Sequence, residues 1–222
     1  MVPPDPSDKP SRQRRFRCAY LFASLSAMLL LYPTAESSSG AAVILYLMSS
    51  VTLAAGVYAV ASTRRQGIAA AALALAQIVV AGIGVLRESR FIYVELSLFV
   101  AFYSYAILRV LGYVLRGRKV SADKILGALS VYLMLGLTWA WIYTMLALDD
   151  PGAFRGSMEG PVDFIYFSFV TLTTLGYGDV APATARARSL CIVEAVMGVL
   201  FLAVLVSRLV AGYKPEDDEA DS

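Results

Sequence analysis

Histidine is absent from the 222 residues, and cysteine occurs only twice. Without imidazole the chain lacks the commonest general base and metal ligand, so no enzymatic activity, no catalytic residue and no resident cofactor are expected. Cys18 and Cys191 fall at or inside apolar stretches, where small buried side chains are expected rather than a disulfide or a metal site. Charge is scarce as well: Asp, Glu, Lys and Arg make up 16%, with a formal net charge of +2. No basic patch interleaved with aromatics resembles a nucleic-acid surface, so no nucleic-acid partner is expected. What the chain does have is apolar surface, at 58% of residues and a mean hydropathy of +0.65. A soluble domain of this length would struggle to cover that with polar groups. The expectation is an all-α integral membrane protein with lipid as its solvent.

Six apolar stretches approach membrane-spanning length: Phe16 to Tyr32, Ala41 to Ser62, Gly67 to Leu86, Phe91 to Leu115, Ile125 to Leu148 and Ser189 to Ala211. The first follows Arg12, Arg14, Arg15 and Arg17 and has the look of a signal peptide. Its apolar part continues to Tyr32-Pro33 with no convincing small-residue cleavage pattern after it, so it is read as an anchor. With both termini in the cytoplasm, Lys9, Arg12, Arg14, Arg15, Arg17, Arg64, Arg65, Arg116, Arg118, Lys119, Lys124 and Lys214 fall inside. Arg87, Arg90, Arg155, Arg186 and Arg188 fall outside. The Arg87 to Arg90 hinge fits this orientation least well. The proline-rich Val2 to Ser11 reads as a flexible arm, and the charged run Lys214 to Ser222 as a solvated tail.

Between the last two stretches lies the run Thr171-Leu172-Thr173-Thr174-Leu175-Gly176-Tyr177-Gly178-Asp179. Gly-Tyr-Gly-Asp alone would suit a surface turn. Its context favours another reading, because aromatic-rich Asp163 to Thr174 directly before it is long enough for a short helix that enters the bilayer without crossing it. Thr174 to Gly178 resembles the selectivity filter of potassium channels, and the likeness extends from about Ile125 to Tyr213. The resemblance implies a homotetramer in which four loops replace the water shell of a potassium ion with backbone carbonyls. The ion would be held at Thr174, Leu175, Gly176 and Tyr177, as permeant ligand rather than cofactor.

Gly176 and Gly178 suit the task because they adopt the required backbone angles without a Cβ penalty, while the Thr174 hydroxyl offers a further oxygen at the inner mouth. Tyr177 would brace the loop from behind, and Asp179 would attract cations at the outer mouth. Tyr166, Phe167 and Val170 belong to a stretch similar to the family's aromatic cuff, although Tyr166 and Phe167 stand where many members carry tryptophan. Leu175 replaces the commoner valine, a change of packing rather than of ligand type. The carboxyl end of the pore helix, near Thr173 and Thr174, would place partial negative charge toward a cation at mid-membrane.

In the last span, Gly198 aligns with a glycine that many family members use as a gating hinge; close helix packing explains a glycine there equally well. Leu202, Val206 and Val210 recur at helical spacing, either lining an apolar constriction or forming a plain core face. Glu194, an ionisable residue inside a membrane helix, is a functional candidate by default. A structural role is preferred, in which it pairs behind the filter with Arg188 or a neighbouring hydroxyl.

The first four spans resemble, in number and position, the sensor domain of six-segment potassium channels. Phe91 to Leu115 holds only Arg109, whereas steep gating needs roughly three to four charges per subunit, each worth about 2.3 kcal/mol per 100 mV. The closest likeness is therefore to prokaryotic members without a working voltage sensor. The expected layout is a cytoplasmic arm at 1–15, a four-helix sensor-like bundle at 16–119, a two-helix pore domain with re-entrant pore helix and filter loop at 120–213, and an acidic tail at 214–222. No cytoplasmic ligand-binding domain is expected. The implied function is potassium-selective passive conduction across a cell (inner) membrane with weak or no voltage dependence. A poorly selective cation channel and a non-conducting modulatory subunit are the alternatives.

Overall fold

The computed structural model describes residues 17–36, 41–61, 63–87, 92–116, 121–158 and 160–212. These form helices α1 (Arg17–Glu36), α2 (Ala41–Val60), α3 (Arg64–Arg87), α4 (Ile92–Leu115), α5 (Ala122–Asp149), α6 (Pro161–Leu172) and α7 (Ala185–Gly212). Each of the six apolar stretches carries a helix. Among the described residues four are long and apolar enough to cross a membrane: Arg64–Ile83 in α3, Ile92–Leu115 in α4, Ala122–Asp149 in α5 and Ala185–Arg208 in α7. Shorter apolar helical stretches cover Arg17–Leu31 and Leu47–Val60. The amino-terminal arm, the acidic tail and the Glu88–Arg90 part of the hinge lie outside the described residues.

One departure from purely helical structure appears among the described residues, between α5 and α7. β1 (Phe154–Arg155) pairs antiparallel with β2 (Ala181–Pro182), Phe154 opposite Pro182 and Arg155 opposite Ala181. Two residues per strand are too few to leave an alternation in the sequence. The ladder joins the loop before α6 to the chain leaving the filter motif.

Packing follows chain order: α1 lies on α2 and α5, α2 on α3, α3 on α4, α4 on α5, α5 on α6 and α6 on α7. The α4–α5 seam is aromatic, with the Phe99 and Trp141 rings stacked at 5.2 Å. At the start of α5, Ser121 caps the helix by accepting from the Lys124 amide. Asp123 accepts from the Cys18 amide and from the Tyr113 hydroxyl, each at 3.0 Å, and so ties the first turn of α1 and the last turn of α4 to one carboxylate. At the far end of the chain, Arg208 of α7 donates to the Val114 carbonyl of α4 at 3.0 Å.

Candidate functional site

The site is built on α6, whose 12 residues reach only about 18 Å at 1.5 Å per residue, against about 30 Å of hydrocarbon. Its start is fixed by Pro161 in the first turn and by the Asp163 carboxylate, which accepts from the Gly160 amide at 3.0 Å. The helix ends because the backbone reverses hand. Thr173 still donates its amide to the Phe169 carbonyl, and its hydroxyl reaches the same oxygen at 2.6 Å. Thr174 then takes φ = 58°. The chain turns back on the helix it has left, with the Leu175 amide donating to the Val170 carbonyl at 2.9 Å and the Gly176 amide reaching it at 3.4 Å.

Positive φ recurs at every second residue: Thr174 at 58°, Gly176 at 59° and Gly178 at 82°, with Leu175 and Tyr177 between them on the ordinary side. In an extended strand successive residues face opposite sides. Reversing the hand of alternate residues cancels that alternation, which is the backbone device needed to turn successive carbonyls the same way. Two reversed positions are legible as glycines. The third, Thr174, is not, since a β-branched residue at positive φ is uncommon. Thr174 through Asp179 are exposed in the single chain.

The remaining candidates surround this loop. Tyr166 donates its hydroxyl to Asp179 Oδ2 at 2.7 Å, and its ring lies parallel to that of Tyr177 with centroids 6.5 Å apart. That hydrogen bond holds the Asp179 carboxyl below its ordinary pKa. Phe167 is buried, edge-on to Tyr143 and Phe154 at 5.2 Å each. Val170 is buried too, and its carbonyl is the one the loop returns to.

Glu194 on α7 is fully buried. Its Oε2 accepts from the Tyr143 hydroxyl of α5 and its Oε1 lies against Ser168 Oγ of α6, both at 2.5 Å. Ser168 Oγ is also 2.7 Å from the Gly136 carbonyl. One hydroxyl proton faces two acceptors, so Ser168 serves either the acid or the carbonyl unless the acid carries a proton of its own. Of the two partners considered for Glu194, hydroxyls are what the chain supplies. Arg188 sits six residues earlier, about 9 Å along the helix, and its guanidinium turns to the Pro182 carbonyl.

Gly198 is a place of close approach. A Cβ there would stand 2.2 Å from the Leu172 carbonyl, the last of α6, and the same oxygen accepts from the Tyr132 hydroxyl at 3.4 Å. α7 runs without interruption through this point. Leu202, Val206 and Val210 are 42%, 56% and 70% exposed, so within one chain they are not a core face. Phe201, by contrast, stacks on Tyr132 at 5.8 Å. The constriction candidates therefore share the side of α7 that its own chain leaves open.

Several residues that build the site escape a sequence reading. Tyr143 and Tyr132 look like core aromatics until their hydroxyls are followed. Gly136 admits the Phe169 ring, which would lie 2.6 Å from an added Cβ, and Gly156, at φ = 108°, passes the Asp179 carbonyl at 2.4 Å from such an atom. A glycine within an apolar span is the one signal that points to such contacts.

Membrane-length helices around a half-length helix that hands over to a loop of alternating backbone hand define a multi-pass, all-α membrane channel. Residues 131–212 match the family model described as "Ion channel". The chain is 32% identical over 100 residues to protein LctB of Bacillus caldotenax, covering 41% of this chain and 74% of that protein. It is 36% identical over 84 residues to two-pore potassium channel 4 of Arabidopsis thaliana, and 39% over 87 residues to two pore potassium channel c of Oryza sativa subsp. japonica. These matches cover 36% and 37% of this chain but only 30% and 17% of the plant proteins. No solved structure matches the chain. The chain belongs to the potassium channel family of ion channels, a family of pores rather than enzymes.

Proposed function

We propose that this chain is one subunit of a homotetrameric, potassium-selective channel, with Thr174 to Gly178 of each copy forming a quarter of the filter. The observation that carries the reading is the alternation of positive φ at Thr174, Gly176 and Gly178, directly after a helix too short to cross the bilayer. Carbonyls of Thr174, Leu175, Gly176 and Tyr177 turned to a common axis would stand in for the ion's water shell. The negative end of the α6 dipole, at Thr173 and Thr174, would favour a cation below them, and four copies would add. Asp179, ionised and held by Tyr166, would concentrate cations at the outer mouth. Glu194 with Tyr143 and Ser168 would fix the filter's support helix between α5 and α7.

In this reading residues 16–119 form a sensor-like bundle without a working sensor, because α4 carries Arg109 and no other basic residue. Residues 120–213 form the pore domain. Both termini face the cytoplasm of a cell (inner) membrane on the distribution of lysine and arginine. Gly198 either bends α7 or packs against α6, and Leu202, Val206 and Val210 line the inner pore. The deciding experiment is reconstitution of the purified chain into vesicles, with currents recorded under potassium on one side and sodium on the other. A reversal potential near that of potassium is expected. Reversal near zero would leave an unselective cation channel, and no current would leave a modulatory subunit.

A further inference from the structure

Away from the filter, at the ends of the helices where α1 and α5 begin and α2 and α4 finish, lies a cavity of about 370 Å³. Its polar lining comprises Arg17, Cys18, Arg109, Tyr113, Arg116 and Asp123. Three arginines and one carboxylate thus line the same cavity. That carboxylate is already engaged, by the Cys18 amide on one oxygen and the Tyr113 hydroxyl on the other. Arg17 spends one terminal nitrogen on the Ala61 carbonyl at 2.9 Å and lies 5.3 Å over the Tyr58 ring. The Nε atoms of Arg17 and Arg109 are buried and have no hydrogen-bond partner. The only ion pair among the described residues is Arg186 with Asp149, at the opposite end of the helices.

A buried donor left unmade is costly, and more so on a charged group. Arginines of separate helices lining one cavity, two of them with unpartnered donors and the set outnumbering its one carboxylate, suit a multi-oxygen anion better than any neutral guest. The cavity is open to the level where the helices end, and a lipid headgroup would lie there. We propose that this cavity is a discrete phosphate-binding site, filled by the headgroup of an anionic phospholipid or by phosphate free in solution. The phosphate would bridge Arg17 of α1 and Arg109 of α4 and so latch α1 to the helix that leads into α5. The site stands independently of conduction.

The test uses the full chain purified in neutral detergent, with its melting temperature followed as inorganic phosphate, a short-chain phosphatidylglycerol or a short-chain phosphatidylcholine is added. Saturable stabilisation by phosphatidylglycerol and not by phosphatidylcholine supports the site with lipid as its source; stabilisation by inorganic phosphate alone supports it with free phosphate as the source. In either case Arg109→Gln and Arg17→Gln should each raise the half-saturating concentration about tenfold, the scale of one charge-assisted hydrogen bond. Arg116→Gln, at an exposed position that folding tolerates, should raise it several-fold, whereas Arg186→Gln should leave it unchanged. Equal stabilisation of the Arg116→Gln and Arg186→Gln variants, or none by any additive, overturns the proposal. So does binding seen only after Glu216, Asp217 and Asp218 are neutralised, since the cavity would then belong to the chain's own acidic run.

Discussion

Residues 17–116 and residues 121–212 are both apolar helical assemblies, but they treat buried polar atoms differently. In the second region Ser130, Thr138 and Thr144 each return a hydroxyl to a carbonyl one turn back, at 2.7, 2.7 and 2.9 Å. Glu194 there is met by two hydroxyls from two other helices. Among the described residues there, only Trp141 Nε1 is left buried without a partner. In the first region the buried atoms without partners are Arg17 Nε, both amide atoms of Gln77, the Tyr103 hydroxyl and Arg109 Nε. At about 1–3 kcal/mol for each unmet group, this is a real difference in how tightly the two arrangements are specified. A fully satisfied polar network rigidifies its surroundings and admits one geometry. The second region comes nearer to such a network around Glu194; the first keeps open donors, which suits a bundle that takes guests or rearranges.

Substitutions should therefore hurt most behind α5 and least before it. The largest effect is expected at the filter glycines. Gly176→Ala or Gly178→Ala places a Cβ at positive φ, which costs roughly 1–2 kcal/mol per residue, repeated in every copy around a shared axis. Potassium flux from vesicles should fall at least about a hundredfold on that arithmetic, while insertion into the membrane is kept. Undiminished flux in either variant would falsify the filter assignment.

Next comes Glu194→Leu, which strands the Tyr143 hydroxyl in an apolar setting, while Ser168 keeps the Gly136 carbonyl. The expected cost is about 2–5 kcal/mol per chain, read as a lower melting temperature and a loss of selective current. Glu194→Gln keeps shape and one acceptor, so it should cost less. If Glu194→Leu melts like the native chain, the satisfied network is not what sets the pore region apart.

Gly198→Ala should cost about 1–3 kcal/mol as overpacking, because the new methyl has no room against the Leu172 carbonyl. If packing is the whole role, thermal stability falls while the open probability of surviving channels is unchanged. A selective shift in open probability with native stability would instead mark a hinge.

A smaller effect attends Tyr166→Phe, which removes the donor to Asp179. Because the folded-state pKa of Asp179 is lowered, its contact with Tyr166 stabilises the loop above the ordinary carboxyl value near 4 and is lost as pH falls through the lowered one. Acid titration of channel current should show a step below about pH 4 that Tyr166→Phe moves up toward the ordinary carboxyl value. A step at the same pH in both proteins would mean the pair does not matter to conduction.

The smallest change is expected before α5. Arg109→Gln alters one charge close to the end of its helix, where it crosses only part of the field, so voltage dependence should barely move. A large fall in gating charge would break the comparison outright, for the loosely satisfied region would then be the working sensor.

The helices and the loop that follows α6 were legible in the sequence because their signals are local. Apolar runs of membrane length, lysine and arginine at their ends, and two glycines flanking a tyrosine after a short aromatic helix each need only neighbours along the chain. The short helix, expected at Asp163 to Thr174, lies two residues earlier, at Pro161–Leu172. The pairing of β1 with β2 was not legible, since two residues leave no periodicity, and neither was the reversed φ of Thr174, which is imposed by the return of Leu175 and Gly176 to the Val170 carbonyl.

By itself, then, the sequence determined that this is a multi-pass membrane protein, where its helices fall, and where the loop after the short helix lies, all consequences of residue type at short range. Tertiary structure alone decided that Glu194 is held by Tyr143 and Ser168 rather than by Arg188, that Gly198 faces the Leu172 carbonyl, and that Arg17 and Arg109 meet across a cavity. Those are contacts between residues as far as 92 positions apart on separate helices. Helical periodicity restricts which side of each helix such a residue occupies, but which helix faces it is fixed only when the bundle packs.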